Sequence, residues 1–380
     1  MKIIVAMSGG VDSSVSAYLL KKQGHEVIGL SYELWDKRDL KSSSLCCSVE
    51  TINLAKSVAH QIGIEHYTVD VRDTFYTHVI ESFCESYIKG KTPNPCILCN
   101  KYIKFDFLMK KAEEIGADCI ATGHYARIEK QQGAGVRVQG LKNDNNVEEL
   151  SPDNGQRNPE PGQRFLLKKG VDLKKDQSYV LYVMNQDELA KTIFPLGEFN
   201  KDKTRAIAKE IGLATATRPE SQEICFVGDD NYSNFIEGFS PDSLMPGLIL
   251  DTEGKVIGEH KGIAFYTIGQ RKGLGISSPV ARYVADINRE NKTIVIGSRE
   301  DATRKKIMVT DLNWIAADFT VSPVQAGVKI RSTMREVPAL ITPEGENLSV
   351  EFIEPQWAPA PGQSAVFYMD DIVLGGGIIL

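Results

Sequence analysis

A glycine-rich turn directly follows the first apolar segment of the chain. Residues 2–6 (Lys-Ile-Ile-Val-Ala) predict a buried strand, residues 7–14 are Met-Ser-Gly-Gly-Val-Asp-Ser-Ser, and residues 13–23 have helical spacing. The two glycines allow a sharp bend and close approach to a ligand. The N–H groups at the helix start, where the helix dipole is positive, favour an anion. We interpret the segment as a phosphate-binding turn rather than an ordinary strand–helix turn. It is not a Walker loop, because no Lys-Ser/Thr pair follows the glycines.

The first 127 residues alternate between strand-like and helical patterns. Strands are predicted at 2–6, 26–30, 66–71 and 119–126, and helices at 13–23, 49–62, 74–88 and 101–115. This alternation predicts an α/β domain with a parallel sheet flanked by helices. Ligands of such sheets bind at the carboxyl ends of the strands, which is where the glycine turn lies.

The rest of the chain predicts further units. Residues 130–164 are rich in turn formers and predict a polar surface insertion, after which helices are expected at 178–189 and 201–211. Short strands are predicted at 247–250, 256–258, 263–268, 283–287, 293–297, 306–312, 328–334, 348–352 and 364–368. We expect a catalytic α/β domain at 1–226, a small β-rich central domain at 227–282 and a C-terminal β-barrel at 283–380.

Composition limits the choice of partners. The net charge of −6 argues against bulk, non-specific binding of nucleic acid. A local basic face is still compatible with the sequence, because every Lys and Arg after residue 282 lies between Arg289 and Arg335. No apolar run approaches the ~20 residues that span a bilayer, and the glycine turn begins too early to leave room for a targeting segment. We expect a cytoplasmic protein without a membrane partner.

Two of the seven cysteines stand out by their surroundings. Residues 92–101 are Thr-Pro-Asn-Pro-Cys-Ile-Leu-Cys-Asn-Lys, and their prolines predict a stiff loop before the helix at 101–115. Cys99 would then lie just before a helix N-terminus that Asn100 caps, where the helix dipole and nearby lysines favour a reactive thiolate. A buried core cysteine is the alternative. The Cys96–Cys99 spacing does not favour zinc, because no second pair accompanies it. Cys225 lies in a less distinctive Ile-Cys-Phe segment, and Cys46, Cys47, Cys84 and Cys119 are interpreted as structural.

Seven segments together resemble one family. They are 8–13 (Ser-Gly-Gly-Val-Asp-Ser), 92–95 with Cys99-Asn100, 121–127 (Ala-Thr-Gly-His-Tyr-Ala-Arg), 175–179 (Lys-Asp-Gln-Ser-Tyr), 224–226, 267–275 and 361–365. In this order and over nearly the whole chain, they resemble the tRNA-specific 2-thiouridylases of the PP-loop ATP-pyrophosphatase superfamily. The resemblance implies a PP-loop domain, a small β-rich domain and a tRNA-contacting β-barrel. It also implies 2-thiolation of the wobble uridine (position 34) of tRNA. In that reaction ATP adenylates the C2 oxygen, a cysteine persulfide supplies sulfur, and AMP and pyrophosphate are released.

The same resemblance implies roles for individual residues. Cys225 would carry the persulfide, and Cys99 would be the nucleophile that assists release or resolves the resulting disulfide, so the two thiols would have to approach one another. The implied ATP site comprises Ala6, Met7, Ser8, Gly9, Gly10, Val11, Asp12, Ser13, Tyr32 and Gly123, with Asp12 as a Mg²⁺ ligand. The implied contacts to the target base are Asn94, Pro95 and Cys96, and those to the rest of the tRNA are His124, Lys175, Asp176, Gln177, Arg331, Ser332 and Gln363. The implied partners are tRNAs of the Lys, Glu and Gln type and a persulfide donor such as a cysteine desulfurase or a sulfur-relay protein.

Two departures from the family pattern leave alternatives open. Many members have Asp at the position of Cys96 and Tyr at that of Ser332. A thiol replaces a carboxylate as acid or base only in part. Cys96, Cys99 and Cys225 also form a set of thiols suited to an iron–sulfur cluster with one open iron, so a cluster-dependent version of the reaction is one alternative. Another PP-loop ATP-pyrophosphatase and a non-catalytic module that binds nucleotide or RNA are the others.

Overall fold

The computed structural model describes residues 1–34, 49–132, 163–218, 224–227, 232–240, 244–316 and 322–380. Cys46, Cys47 and most of the insertion predicted at 130–164 lie outside the described residues. The strands, in chain order, are β1 (Lys2–Ala6), β2 (Glu26–Glu33), β3 (Glu65–Asp70), β4 (Cys119–Ala121), β5 (Ala126–Gln132), β6 (Gln163–Lys169), β7 (Thr192–Ile193), β8 (Gly247–Asp251), β9 (Val256–His260), β10 (Tyr283–Asn288), β11 (Thr293–Gly297), β12 (Thr303–Trp314), β13 (Val324–Lys329), β14 (Val337–Glu344), β15 (Asn347–Trp357), β16 (Ser364–Met369) and β17 (Ile372–Ile379).

Nine α-helices lie in the described part of the chain. They are α1 (Val11–Lys22), α2 (Val49–Ile62), α3 (Arg72–Phe75), α4 (Ser82–Ile88), α5 (Pro95–Leu98), α6 (Leu108–Ile115), α7 (Gln186–Ala190), α8 (Lys201–Glu210) and α9 (Tyr232–Phe239). Single π-helical stretches, Tyr76–Glu81 and Cys99–Phe107, join α3 to α4 and α5 to α6. Short 3₁₀ turns occur at Ser178–Leu181, Ile263–Phe265 and Glu300–Ala302. None of these helices is long and apolar enough to cross a membrane.

The predicted parallel sheet is confirmed. Its order is β3-β2-β1-β4-β7, and every neighbouring pair is parallel. Alternate residues of β1 enter different cores: Ile4 packs with Leu30 on one face, while Ile3 and Val5 pack with Val15 of α1 on the other. Because both faces are buried, the central strands are continuous apolar runs. The glycine turn follows directly at the carboxyl end of β1.

Several predicted elements are wrong in type or extent. The predicted helix 178–189 is a 3₁₀ turn followed by the separate helix α7. Asn185 caps α7, because the side chains of Asn185 and Glu188 each accept a hydrogen bond from the other residue's backbone N–H. The predicted strand 119–126 ends at Ala121, where the chain turns towards the glycine turn. The apolar segment 263–268, predicted as a strand, begins with a 3₁₀ turn that packs into the central core.

The central sheet has the order β10-β11-β8-β9. β11 pairs with β8 in parallel and with β10 in antiparallel orientation. Strands β10 and β11 fall within 283–297, which the sequence pattern assigned to the C-terminal barrel. Strand spacing does not reveal which strands pair, so the pattern placed them with the strands that follow.

Six strands close the C-terminal barrel in the order β12-β15-β14-β13-β16-β17, with β17 pairing back to β12. The barrel core contains Val350, Phe352 and Phe367, all buried. The hairpin β5–β6 extends the same sheet through the pair Ile372–Lys168. The two ends of the predicted insertion are therefore strands, and they tie the N-terminal domain to the barrel.

Candidate active site

The glycine turn is fixed by its own hydroxyls and by β2. Ser13 Oγ accepts a hydrogen bond from Ser8 N at 3.2 Å and donates to Gly10 O at 3.2 Å. Ser31 Oγ donates to Met7 O at 2.6 Å. These contacts hold the backbone between β1 and α1 in one conformation, and α1 begins at Val11 directly after the glycines.

Two glycines permit close backbone contacts at this turn. Gly9 has a φ of +71°, and a Cβ there would overlap the carbonyl oxygen of Thr51 on α2. A Cβ on Gly123 would lie 2.8 Å from Ser13 N and 2.9 Å from the carbonyl carbon of Asp12. The end of β4 therefore packs directly against the first turn of α1, which side chains at these positions would prevent.

Asp12 is engaged by a lysine from a distant helix. Lys201 Nζ lies 2.8 Å from both Asp12 Oδ1 and Oδ2, and the Tyr125 hydroxyl donates to Asp12 Oδ1 at 2.8 Å. The Lys201 side chain is only 9% exposed. Neither Lys201 nor Tyr125 is among the site residues predicted from the sequence. A lysine in the first turn of a helix usually faces solvent, and nothing in the local pattern of α8 marks this one as buried.

The glycine turn and the thiols line one cavity of about 340 Å³. The predicted site residues in its wall are Ala6, Met7, Ser8, Asp12, Ser13, Tyr32, Pro95, Cys96, Cys99, Gly123, His124, Gln177 and Cys225. Cys99 is buried, Cys225 is half-buried and Cys96 is exposed. Residues predicted from separate parts of the sequence for nucleotide binding and for sulfur chemistry thus meet in one space.

Cys99 lies within a helix rather than before one, so that prediction is wrong. The helix begins at Pro95, six residues earlier than expected, and Asn94 caps it by accepting a hydrogen bond from Cys96 N at 3.2 Å. Proline is compatible with the first helical position because its missing N–H would have no helical acceptor there. Asn100, expected to be the cap, is buried and donates to Val180 O at 2.8 Å.

Cys225 is positioned by the aromatic residue next to it. Phe226 is buried and makes edge-to-face contacts with Phe75 and Phe83, with ring centroids 5.7 Å and 5.2 Å away. Such pairs stabilise by about 0.5–1.5 kcal/mol beyond area burial. The anchored ring holds the short described segment 224–227 against the cavity, with Cys225 in its wall.

Burial sets the charge state of two further groups in the cavity wall. Burial, helped by the nearby charge of Lys104, lowers the pKa of His124 well below its usual value, and its Nδ1 lies 2.7 Å from Thr122 Oγ1. This imidazole is therefore neutral near pH 7. The hydroxyl of Tyr32 is buried without a hydrogen-bond partner among the described residues. Burial and, to a lesser degree, Cys99 raise the pKa of Tyr32.

Comparison with known proteins covers the whole chain. The family model described as tRNA methyl transferase HUP domain matches residues 1–229. The models described as tRNA methyl transferase PRC-barrel domain and aminomethyltransferase beta-barrel domain match residues 233–298 and 304–379. The chain is 45% identical over 380 residues to the tRNA-specific 2-thiouridylase MnmA of Clostridioides difficile strain 630, covering all of this chain and 98% of that protein.

The chain belongs to the tRNA-specific 2-thiouridylase family. It is also 44% identical over 381 residues to the protein of the same name from Clostridium perfringens strain 13, again covering all of this chain and 98% of the relative. Family membership therefore extends over the PP-loop domain, the central domain and the barrel together.

The residues that the thiouridylase resemblance assigns to tRNA lie in the first cavity, in a second cavity or outside both. Lys175, Asp176 and Ser332 line a second cavity of about 540 Å³ behind the glycine turn, and Gln177 lines both cavities. The side chain of Asp176 is only 3% exposed and accepts hydrogen bonds from Gly170 N, Ser178 N and Ser178 Oγ at 2.9–3.1 Å. In this structure Asp176 fixes the conformation of its own loop.

Arg331 and Gln363 lie outside both cavities and contact backbone carbonyls. Arg331 donates to Ala358 O at 2.6 Å, and its guanidinium lies 5.2 Å from the Trp357 ring. Gln363 Nε2 donates to the carbonyl oxygens of Thr92 at 2.9 Å and Pro93 at 3.3 Å. Gln363 thereby fastens the barrel to the loop that leads into the helix carrying Cys96 and Cys99.

Proposed function

We propose that this chain catalyses ATP-dependent 2-thiolation of the wobble uridine of tRNA. The observation that carries the proposal is the single cavity shared by the glycine turn and the thiols of Cys99 and Cys225. The names of the family models refer to methyl transfer, whereas the curated relatives are named 2-thiouridylases. Methyl transfer requires no paired thiols beside a phosphate-binding turn, so the site favours thiolation.

ATP activates the C2 oxygen of uracil, which is otherwise a poor leaving group. The amides of residues 8–13 would bind its phosphates at the N-terminus of α1, and Tyr32 at the end of β2 would contact the adenine. The cationic side chains of Lys201 and Arg218 lie beside the turn, with Arg218 donating to Gly9 O at 3.2 Å. Attack of the uracil C2 oxygen on the α-phosphorus releases pyrophosphate and leaves a C2–O–AMP bond, whose AMP is a good leaving group.

Sulfur then replaces the adenylated oxygen. The terminal sulfur of a Cys225 persulfide attacks C2 and AMP departs. The Cys99 thiolate attacks Cys225 Sγ, which breaks the bond to the transferred sulfur, releases 2-thiouridine and joins the two cysteines in a disulfide. A dithiol reductant returns the two electrons. The persulfide donor, a cysteine desulfurase or a relay protein, must reach Cys225, which is half-buried at the cavity.

The residues present fit magnesium but not a cluster. Asp12 offers carboxylate oxygens beside the turn, the type of ligand that Mg²⁺ prefers, and would hold the ion there. The ion would neutralise charge on the phosphates, and Lys201 Nζ, 2.8 Å from both carboxylate oxygens, holds Asp12 beside the turn. Although Cys96, Cys99 and Cys225 line one cavity, no three His, Cys, Asp or Glu residues in the described part of the chain are grouped to hold a metal ion.

The proposal is tested by nucleoside mass spectrometry. The protein is incubated with ATP, Mg²⁺, a cysteine desulfurase with cysteine, and unmodified tRNA, beside Cys99→Ser and Cys225→Ser variants. Cys119→Ser is the matched control, because this half-buried thiol on β4 does not line the cavity and burial raises its pKa. We expect 2-thiouridine from the parent and Cys119→Ser only. Equal 2-thiouridine from Cys99→Ser and Cys225→Ser would contradict the thiol roles, and its absence throughout would contradict the function.

A further inference from the structure

A third thiol shares the cavity of Cys99 and Cys225. Cys96 lies one helical turn before Cys99 and lines the same cavity. The Cys96 side chain is exposed, whereas Cys99 is only 9% exposed. An exposed thiol that neighbours a buried one on the same helix is placed to connect it with solvent.

The helix brings Cys96 and Cys99 within disulfide range. Three residues along a helix separate Cα atoms by about 5 Å, from a rise of about 1.5 Å per residue and a radius of about 2.3 Å. Disulfides span Cα distances of about 4.4–6.8 Å. The backbone here is held by the Asn94 cap on Cys96 N and by Gln363, which fastens Thr92 and Pro93. A Cys96–Cys99 disulfide therefore requires little backbone movement.

The proposed reaction leaves a disulfide whose Cys99 sulfur is hard to reach from solvent. After each turnover Cys99 and Cys225 would be joined, and Cys225 cannot accept a new sulfur until that bond is broken. Thiol–disulfide exchange requires the attacking thiolate to reach a sulfur of the bond. The buried position of Cys99 restricts attack by an external reductant, whereas Cys96 lies one turn away.

We propose that Cys96 is the resolving thiol of the cycle, an inference that rests on the function proposed above. The Cys96 thiolate attacks Cys99 Sγ of the Cys99–Cys225 disulfide, its proton having passed to solvent. The Cys99–Cys225 bond breaks, a Cys96–Cys99 bond forms, and Cys225 leaves as a thiolate ready for a new persulfide. The exchange itself involves no net redox change, and an external dithiol then attacks the exposed Cys96 sulfur and reduces the Cys96–Cys99 disulfide with two electrons.

A single-turnover disulfide map tests this proposal. Protein loaded with one persulfide is mixed with ATP, Mg²⁺ and tRNA without reductant, quenched with acid, alkylated and digested with trypsin. Residues 92–101 form one tryptic peptide that contains both Cys96 and Cys99, while Cys225 lies in another. The parent should give an internal disulfide in peptide 92–101 and an alkylated Cys225. Cys96→Ser should instead stop at a cross-link between the two peptides, and Cys119→Ser should match the parent.

Multiple turnovers separate a resolving role from a structural one. With a protein dithiol as reductant, the ratio of second-turnover to first-turnover rate should fall severalfold in Cys96→Ser, and a high concentration of the small dithiol dithiothreitol should restore it. A parent that ends as the Cys99–Cys225 cross-link, or a Cys96→Ser variant with an unchanged ratio, would overturn the resolving role while 2-thiouridine still forms. Absence of 2-thiouridine in the first turnover of the parent would instead remove the proposed function and this inference together.

Discussion

Replacing Gly123, which follows β4, with alanine should displace the backbone of the phosphate-binding turn. The new Cβ would lie 2.8 Å from Ser13 N and 2.9 Å from the carbonyl carbon of Asp12, whereas ordinary contacts begin near 3.4 Å. Both atoms belong to the backbone of the turn and cannot rotate away. The turn or the end of β4 must therefore move by roughly half an ångström, and overpacking of this kind costs about 1–3 kcal/mol.

Two other glycines of the turn provide matched comparisons. Gly10 has a φ of −90°, and the nearest atom to a Cβ there is the rotatable Ser8 Oγ at 3.4 Å. Gly10→Ala should thus change the free energy of unfolding by less than about 1 kcal/mol, since a weaker cap offsets the entropy gain. Gly9→Ala should be the most damaging, because its left-handed backbone adds about 1–2 kcal/mol to the overlap with the Thr51 carbonyl.

Urea unfolding and ATP-binding calorimetry measure this series. The loss of unfolding free energy should follow the order Gly9→Ala, Gly123→Ala, Gly10→Ala, and ATP affinity should fall for the first two. A Gly123→Ala protein with parental stability and parental ATP affinity would refute the close approach of β4 to the turn. So would a Gly10→Ala protein less stable than both.

Three further predictions concern Lys201 beside the glycine turn, Glu188 in α7 and Gln363 in the barrel. Lys201→Met and Asp12→Asn, alone and combined, should show a coupling energy of about 2 kcal/mol in urea unfolding, because each single change removes the opposite charge from a buried or partly buried group; additive effects would contradict the pair. Burial raises the pKa of Glu188 to about 7, so its stabilising protonated form is present below about pH 4.5 and lost as pH rises through 7. In thermal melts, the free energy of unfolding of Glu188→Gln relative to that of the parent should rise by up to about 3 kcal/mol between pH 5 and pH 8. A difference in unfolding free energy that does not change with pH would contradict this. Gln363→Leu removes the donor to Thr92 and Pro93 and should lower kcat of thiolation with ATP affinity unchanged; a rise in KM for tRNA alone would indicate direct tRNA contact instead.

Local patterns predicted the parts of the site that depend on neighbours in sequence. The apolar run at β1 and the glycines after it define the turn, because strand, bend and helix start all lie within a dozen residues. The alternation up to residue 127 similarly predicts the parallel sheet. The helix start at Pro95 was misplaced because two prolines suggested a loop, although one of them is suited to the first helical position.

Contacts between distant segments could not be predicted in this way. Lys201 reaches Asp12 across 189 positions, and its burial depends on how α8 packs beside α1. The partners of β10 and β11 and the attachment of the β5–β6 hairpin to β17 depend on which edges meet. Alternation along a strand indicates its faces but not its neighbours.

Oxygen labelling tests the central claim that ATP activates the C2 oxygen in the cavity that also carries the thiols. A tRNA with ¹⁸O at C2 of the wobble uridine is converted in a single turnover, and the AMP is analysed by mass spectrometry. Because adenylation transfers that oxygen to the α-phosphorus, we expect ¹⁸O in AMP in a one-to-one ratio with the 2-thiouridine formed. Unlabelled AMP beside newly formed 2-thiouridine would contradict it.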